Sequence, residues 1–438
     1  MIALTSQRVL TPSGLRPATV LLDGERVHSL AEQPPEQAEI LDLGRLVLMP
    51  GLVDSHVHMN EPGRTEWEGF ATATRAAALG GVTTVVDMPL NSIPVTTSLD
   101  ALQAKIAATQ GQLSVDCAFW GGVVPGNTPE LAPMAAAGAR GFKCFLCPSG
   151  IDEFPNVEAA DLRVAMPALR QLQRPLLVHA ELELPLRQAA SGDARDYATY
   201  LHSRPPEWED AAVALIVELV RETGARAHIV HLSSAGAISI LRAAKAEGLP
   251  ITAETCPHYL VLRAEQIPPG DTSYKCAPPI REGANRDALW AALAEGVIDF
   301  VVTDHSPCVP GLKLPEEGDF LRAWGGIASL QLGLASVATE AQWRGFDIAH
   351  ISRWMSAGPA ALVGLERGAI KPGARADLVA WDPDAAFVVD GHKLAHRHPV
   401  TPWAGRRLQG SVRQVWLGGR CIVREGALVG PPVGRPLL

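Results

Sequence analysis

The sequence predicts an α/β fold, a (β/α)8 barrel with a small β-sandwich domain built from both chain ends, and three observations predict it. Eight strand-like runs alternate with Ala- and Leu-rich helical stretches through the middle of the chain, the signature of parallel β/α units. Both ends read instead as short strands separated by turn signals. Several middle strands finish in a metal-capable side chain, at the end where a barrel carries its site. The division that follows is 1–49 and 363–438 for the β-domain and 50–362 for the barrel. With 438 residues, 47% hydrophobic and 19% charged, the chain can bury such a core and is not disordered.

The first fifty residues supply strands at Ala18 to Leu22, Arg26 to Leu30 after the Asp23-Gly24 turn, and Arg45 to Met49 before Pro50-Gly51. The barrel strands are then Val53 to His58, Val82 to Met88, Ala118 to Val124, Gly141 to Leu146, Pro175 to Ala180, Ala227 to Leu232, Pro250 to Glu254 and Ile298 to Asp304. Helical patterns between them cover Glu68 to Ala78, Asp100 to Thr109, Asp161 to Leu172, Asp210 to Glu222, Ala235 to Glu247 and Asn285 to Ala294. The end of the chain returns to strands at Ala376 to Trp381, Ala386 to Val389, Val412 to Leu417 and, after Gly418-Gly419, Arg420 to Val423. Neither end can bury a core alone, so the two are expected to pair. An open dinucleotide-binding sheet lacks its glycine fingerprint after any strand.

Charge and composition exclude whole classes of partner. There are 38 basic and 47 acidic side chains, a net charge of −9 with no Lys/Arg-rich run, so nucleic acid and anionic membrane find no footprint. A small neutral or polar ligand fits better. Arg16, Asp23, Glu25 and Arg26 interrupt the first thirty residues and no apolar run reaches membrane-spanning length, from which a cytoplasmic protein is expected. Seven cysteines at 117, 144, 147, 256, 276, 308 and 421 are odd in number and scattered, which favours packed thiols in a reducing compartment. The Cys144/Cys147 pair has no second pair at zinc-ribbon spacing.

Chemistry concentrates at the strand ends. His56 and His58 are two apart, so a strand points both to one side, where imidazole nitrogens can hold one ion. Strand four carries Lys143, strand five His179, strand six His231 and strand eight Asp304. Each alone has a bland reading as a snorkelling lysine, a core histidine or a helix cap; at one end of one barrel they read as a metal centre. His228 lies three residues before His231, which by strand period puts it on the opposite face in a structural role. His258 and His305 are expected to support or pack around the ligands. Histidines 28, 202, 350, 392, 396 and 398 fall outside strand ends and read as surface residues.

The motifs D-S-H-V-H-M-N-E-P-G-R-T-E-W-E-G at 54–69, D-M-P-L-N at 87–91, G-F-K-C-F at 141–145, E-T-C-P-H-Y-L at 254–260, K-C-A-P-P-I-R at 275–281, D-H-S-P-C at 304–308 and G-A-R-A-D-L-V at 373–379 resemble the cyclic-amidohydrolase branch of the amidohydrolase superfamily. Within that branch the chain most resembles the allantoinase family, from about residue 5 to residue 425. The resemblance implies two divalent ions: His56, His58 and Asp304 on one, His179 and His231 on the other, and a CO2-derived carbamate on Lys143 bridging both. Zinc is the default metal, with cobalt, manganese or iron as alternatives for such donors. A hydroxide held between ions roughly 3.5–4 Å apart would attack a ring amide carbonyl, and Asp304 would carry its proton to the leaving nitrogen. The resemblance also implies a homotetramer.

Relatives are separated by what surrounds the metals. Dihydroorotases carry arginine two residues after the HxH to hold a carboxylate, and this chain has Asn60 there; hydantoinases and dihydropyrimidinases carry a tyrosine soon after the bridging lysine, and Cys144 to Phe154 contains none. The expected substrate is therefore an uncharged cyclic ureide, allantoin, opened to allantoate, with hydantoinase, dihydropyrimidinase or dihydroorotase activity as the alternatives. Asn60, Arg64, Asn91, Ser306 and backbone groups near Ala277 and Gly325 are the candidate contacts. Arg64 could instead pair with Glu61 or Glu68, and Asn91 could simply follow a turn. A non-catalytic assembly protein on the same scaffold would lose metal ligands, and here all six positions are occupied.

Overall fold

The computed structural model describes residues 1–185 and 192–438. The N-terminal segment forms β1 (Ile2–Thr11), β2 (Gly14–Asp23), β3 (Arg26–Ala31), β4 (Glu39–Asp42) and β5 (Val47–Pro50). Eight parallel strands follow in unbroken order: β6 (Leu52–Val57), β7 (Val82–Asp87), β8 (Asp116–Gly122), β9 (Ala139–Phe145), β10 (Leu176–His179), β11 (Ala227–Ile229), β12 (Ile251–Thr255) and β13 (Phe300–Val301). The curled sheet closes where Val57 bridges His305 and the His58 N–H donates to the His305 carbonyl. The chain ends in β14 (Leu378–Val388), β15 (Arg407–Leu417), β16 (Arg420–Arg424) and β17 (Ala427–Leu428).

Among the described residues, nine strands from the two ends make one sheet, ordered β17-β16-β15-β14-β5-β1-β2-β3 with β4 beside β1. The seam is antiparallel pairing of β5 with β14, Pro50 opposite Leu378 through Val47 opposite Trp381. This sheet buries its own core, including Leu4, Val20, Leu48, Leu378 and Trp416. The extra strands β1 and β4 escape sequence reading because β1 carries a bulge between Ser6 and Val9, which breaks alternation. Ala376–Trp381 and Ala386–Val389 are one strand, not two: Pro383 sits in an irregularity between Asp382 and Ala386, where a missing N–H breaks no ladder bond.

Period-two alternation builds the barrel. Val85, Cys117, Cys144, Leu176 and Val178 face outward into the helices, while Val86, Ala118, Trp120, Leu177 and Val302 fill the interior. The helices are ordinary amphipathic elements, and all six expected ones are present within a few residues. Pro206–Thr223 opens on a proline in its first turn and ends at Gly224, whose φ of 65° suits a residue without Cβ. Thr128–Ala136 and Tyr197–Ser203 are helices without an expected counterpart, the first because Pro129 and Pro133 interrupt its pattern.

The chain terminus departs from the expected division. The Cys117 N–H donates to the Arg435 carbonyl, the Leu437 N–H to the Cys117 carbonyl, and Arg140 to the Leu438 carbonyl. Residues 434–438 therefore pack on the barrel at β8 rather than on the terminal sheet. Arg367 ties the two sheets together, with Asp116 at 2.6 Å and Asp377 at 2.9 Å, all three nearly closed to solvent. No helix of the described residues is long and apolar enough to cross a membrane.

Candidate metal centre and active site

The C-terminal ends of β6, β9, β10 and β11, with Asp304 just after β13, bring the expected ligands into one buried cluster. His56, His58 and His179 each have one ring nitrogen engaged by an outer partner and another left over. His56 Nδ1 donates to Glu254 at 2.5 Å, and its Nε2 lies 3.2 Å from both Lys143 Nζ and Asp304 Oδ1. His58 Nδ1 bonds the Leu90 carbonyl at 2.7 Å while Nε2 lies 3.6 Å from Asp304. His179 Nε2 bonds Glu181 at 2.7 Å, leaving Nδ1. His231 stands edge-on to His179 at 4.5 Å between ring centroids, and its buried Nδ1 has no partner at all. Outer acceptors that fix the tautomer while the second nitrogen converges on a point are what a metal site requires. His56, His58 and Asp304 offer ligand atoms within 4.8 Å of one another.

Backbone conformation completes the convergence. His231 and Asp304 adopt φ of 39° and 44°, a region costly for residues with Cβ and characteristic of functional sites. For His231 this corrects the sequence argument. His228 is not turned away: it registers with Leu177 and Lys143 on the interior side and donates its Nε2 to Glu254 at 3.0 Å. With His228 and Val230 both inward, alternation alone would send His231 outward, and its left-handed backbone brings it back to the mouth. His228 is structural, as expected, stacked on Phe300.

Burial works against every charge here. It drives His56 and His231 well below the ordinary imidazole range, the Coulombic pressure of neighbouring groups adding to it. Neutral imidazole is the ligand form. Burial also pulls Lys143 down to about 8 against the attraction of Asp304 and Glu254, and pushes Glu254 well up. Glu181 behaves oppositely: although burial raises it, the fork from Arg204 and the His179 bond hold it well below the usual carboxylate range.

Above the ligands lies a small cavity of about 80 Å³ that opens toward a wider vestibule. Asn91, Ser306, Ala277 and Gly325 line it, together with Leu90, Phe145, Ser149, Trp324 and Gly326. Asn60 and Arg64 stand behind that wall. Asn60, 1% exposed, donates to the Pro307 carbonyl and accepts from Asn91 Nδ2 at 3.2 Å. Arg64 donates to the Asn91 carbonyl at 2.7 Å and pairs with Glu153, not with Glu61 or Glu68. Among the described residues no arginine lines the inner cavity. His305 packs as expected, its Nδ1 accepting from Ser329, but His396 is a correction: it is buried, not on the surface, 5.7 Å from the His305 ring.

Sequence reading assigned no role to Glu254, Glu181 and Arg204, which position ligands. Glu181 continues the inward period two residues after His179, a signal that could have found it; Arg204, at the end of Tyr197–Ser203, offered none.

Comparison with known proteins agrees with this geometry. The amidohydrolase family profile matches residues 47–422. The chain belongs to the amidohydrolase family. It is 47% identical to the allantoinase of Streptomyces avermitilis over 434 residues, spanning 98% of this chain and 97% of that one. It is 43% identical to the allantoinase of Arabidopsis thaliana over 445 residues, 97% of this chain and 88% of that one. Among solved structures the L-hydantoinase (dihydropyrimidinase) of Arthrobacter aurescens superposes with a TM-score of 0.93 at 28% identity over the whole of both chains. For an amidohydrolase fold of this kind the buried His and Asp donors make a divalent-metal site, and the chain is a metal-dependent hydrolase.

Proposed function

We infer that this enzyme opens the ring amide of allantoin to give allantoate. The observation that carries the reading is an inner cavity floored by His58, Lys143, His179, His231 and Asp304, with no guanidinium in its wall among the described residues. A substrate bearing a carboxylate would need a cation there, whereas a neutral ureide needs hydrogen-bonding groups of both senses. Asn91, Ser306 and the backbone at Ala277 and Gly325 supply them. The short Asn60 side chain, tied to Asn91, keeps that wall in place without adding charge.

His56, His58 and Asp304 would hold one divalent ion and His179 and His231 the other, zinc by default, with Lys143 as a carbamate serving both. Lys143 supports this because a bare ammonium beside two dications would be repelled, whereas a carbamate offers two oxygens. Ions so held would lower the pKa of water and polarise the scissile carbonyl. The chain's own contribution is to orient and to move protons. Leu90, Glu254 and Glu181 fix the imidazoles, Phe145 and Trp324 narrow the mouth against water, and Asp304, aimed by its left-handed backbone, takes the proton of the attacking water and gives it to the ring nitrogen that leaves. We read the assembly as a homotetramer in the cytoplasm.

The test is a substrate panel of allantoin, hydantoin, dihydrouracil and dihydroorotate on metal-reconstituted enzyme, with allantoin expected to lead. Preference for dihydroorotate would overturn the argument from the cavity wall. Asp304→Asn, with metal content checked, is expected to lose turnover; near-normal rates in a fully metallated variant would remove Asp304 from proton transfer.

A further inference from the structure

Cys256 and His258 flank Pro257 at the end of β12, and Cys256 Sγ, a His258 ring nitrogen and an Asp304 oxygen lie within 4.8 Å of one another. All three side chains are buried, and neither nitrogen of His258 has a hydrogen-bond partner. An imidazole closed off from water with both nitrogens unpaired is a rarity that asks for a partner. Three acidic side chains, Asp304, Glu254 and Asp54, act on Cys256, and the cation that also reaches it, Lys143, is the residue read above as an anionic carbamate. A second trio of the same kind, Cys147, His179 and Glu181, shows the contrast. There the Arg204 guanidinium already supplies the positive charge, 2.6 Å from Glu181 and 3.8 Å from Cys147 Sγ.

We propose that Cys256, His258 and Asp304 form a third cation site, separate from the binuclear centre, which takes a thiophilic divalent ion and inhibits the enzyme when filled. One sulfur, one nitrogen and one oxygen donor suit zinc in excess or cadmium and disfavour magnesium or calcium. On binding, the Cys256 S–H bond breaks, its proton leaves to solvent and the sulfur bonds the ion; His258 gives the lone pair of a neutral ring nitrogen, and Asp304 gives one carboxylate oxygen. A carboxylate has two oxygens, so the one shared with His56 and His58 need not be lost. The ion nevertheless holds Asp304 away from the ring nitrogen it must protonate. Binding stands on geometry alone; inhibition rests on the role given to Asp304 above.

The experiment titrates the enzyme, both catalytic ions loaded, with Cd2+ while resident ions are measured in the same sample. One further equivalent should bind, a thiolate-to-cadmium ultraviolet band should rise with it, and activity should fall about tenfold or more. Cys256→Ser and His258→Gln should keep activity and the two resident ions, lose the band, and need about tenfold more Cd2+ for equal inhibition. A band and an equivalent that persist in both variants, or no third equivalent in the parent, would overturn the site. A band lost in both variants with activity untouched in the parent would uphold the site and overturn its inhibitory action, leaving the identity of the substrate unaffected.

Discussion

Glu254→Gln tests whether the buried carboxylate behind the ligands, and not the ligands alone, sets metal affinity. Glu254 accepts from His56 Nδ1 at 2.5 Å and from His228 Nε2 at 3.0 Å, with all three side chains closed to solvent. A glutamine has one acceptor and one donor end. His228 can adapt, because its Nδ1 faces the Thr252 hydroxyl at 2.8 Å, which accepts as readily as it donates, so the other tautomer is tolerated. The amide oxygen then remains for His56, which keeps its tautomer and loses only the charge assistance. Hydrogen bonds to charged groups contribute about 1.5–3 kcal/mol and neutral ones about 0.5–1.5 kcal/mol, so the loss is about 1–1.5 kcal/mol, close to tenfold in affinity. Glu254→Leu leaves both imidazole donors unpaired and is expected near the hundredfold end of what outer partners contribute. Dialysis against graded chelator with metal analysis gives the ranking parent, Gln, Leu, and excess metal should restore most of the Gln variant's turnover. Equal metal retention in all three, or a Gln variant as poor as Leu, would refute the tautomer argument.

Three further outcomes are expected. Arg204→Met frees Glu181 from its fork, so His179 loses a fixed partner; activity should fall about tenfold at limiting metal and less at saturating metal. Lys105→Met strands the buried Asp87 carboxylate, which Lys105 meets at 2.6 Å with neither side chain exposed; urea midpoints should report about 3–5 kcal/mol lost, and Asp87→Asn in the same chain should recover part of it. His396, lowered to about 4 chiefly by burial and further by His305, stays neutral in the folded chain while the unfolded chain protonates near 6.5. Stability present above pH 6.5 is therefore lost toward pH 4, at about 1.4 kcal/mol per unit, and His396→Gln should flatten urea midpoints across that window.

The barrel was legible because its strands are short, buried and separated by helices with clear periodicity, and the ligands because most of them follow the inward period of their strands: His56 and His58, Lys143, and His179 two residues after the inward Leu177. His231 was placed at the mouth from its position near a strand end, yet the structure puts it there through a backbone angle that no periodicity encodes. His396 shows the reverse failure. It belongs to a loop that packs beside Glu68, where the Arg397 N–H bonds the Glu68 carboxylate, and irregular segments bury side chains without any repeating pattern. Asn60 and Arg64 were found in the right neighbourhood, but whether a side chain faces a cavity or braces its wall depends on contacts with Pro307 and Glu153, far away in sequence.

The pairing of β5 with β14 sets an order on how the molecule can be made. Pro50 leaves the ribosome about 330 residues before its partner Leu378, an interval of roughly 15 to 65 seconds at ordinary synthesis rates. During that time β5 has only β1 beside it, and its other edge is open while the adjoining residues begin β6 of the barrel. A growing chain thus carries an unsatisfied strand edge at the base of a half-built barrel, exposed to pairing with a neighbouring chain on the same message. Slowing translation after residue 50 should raise aggregation, and shielding of β5 by a chaperone should lower it.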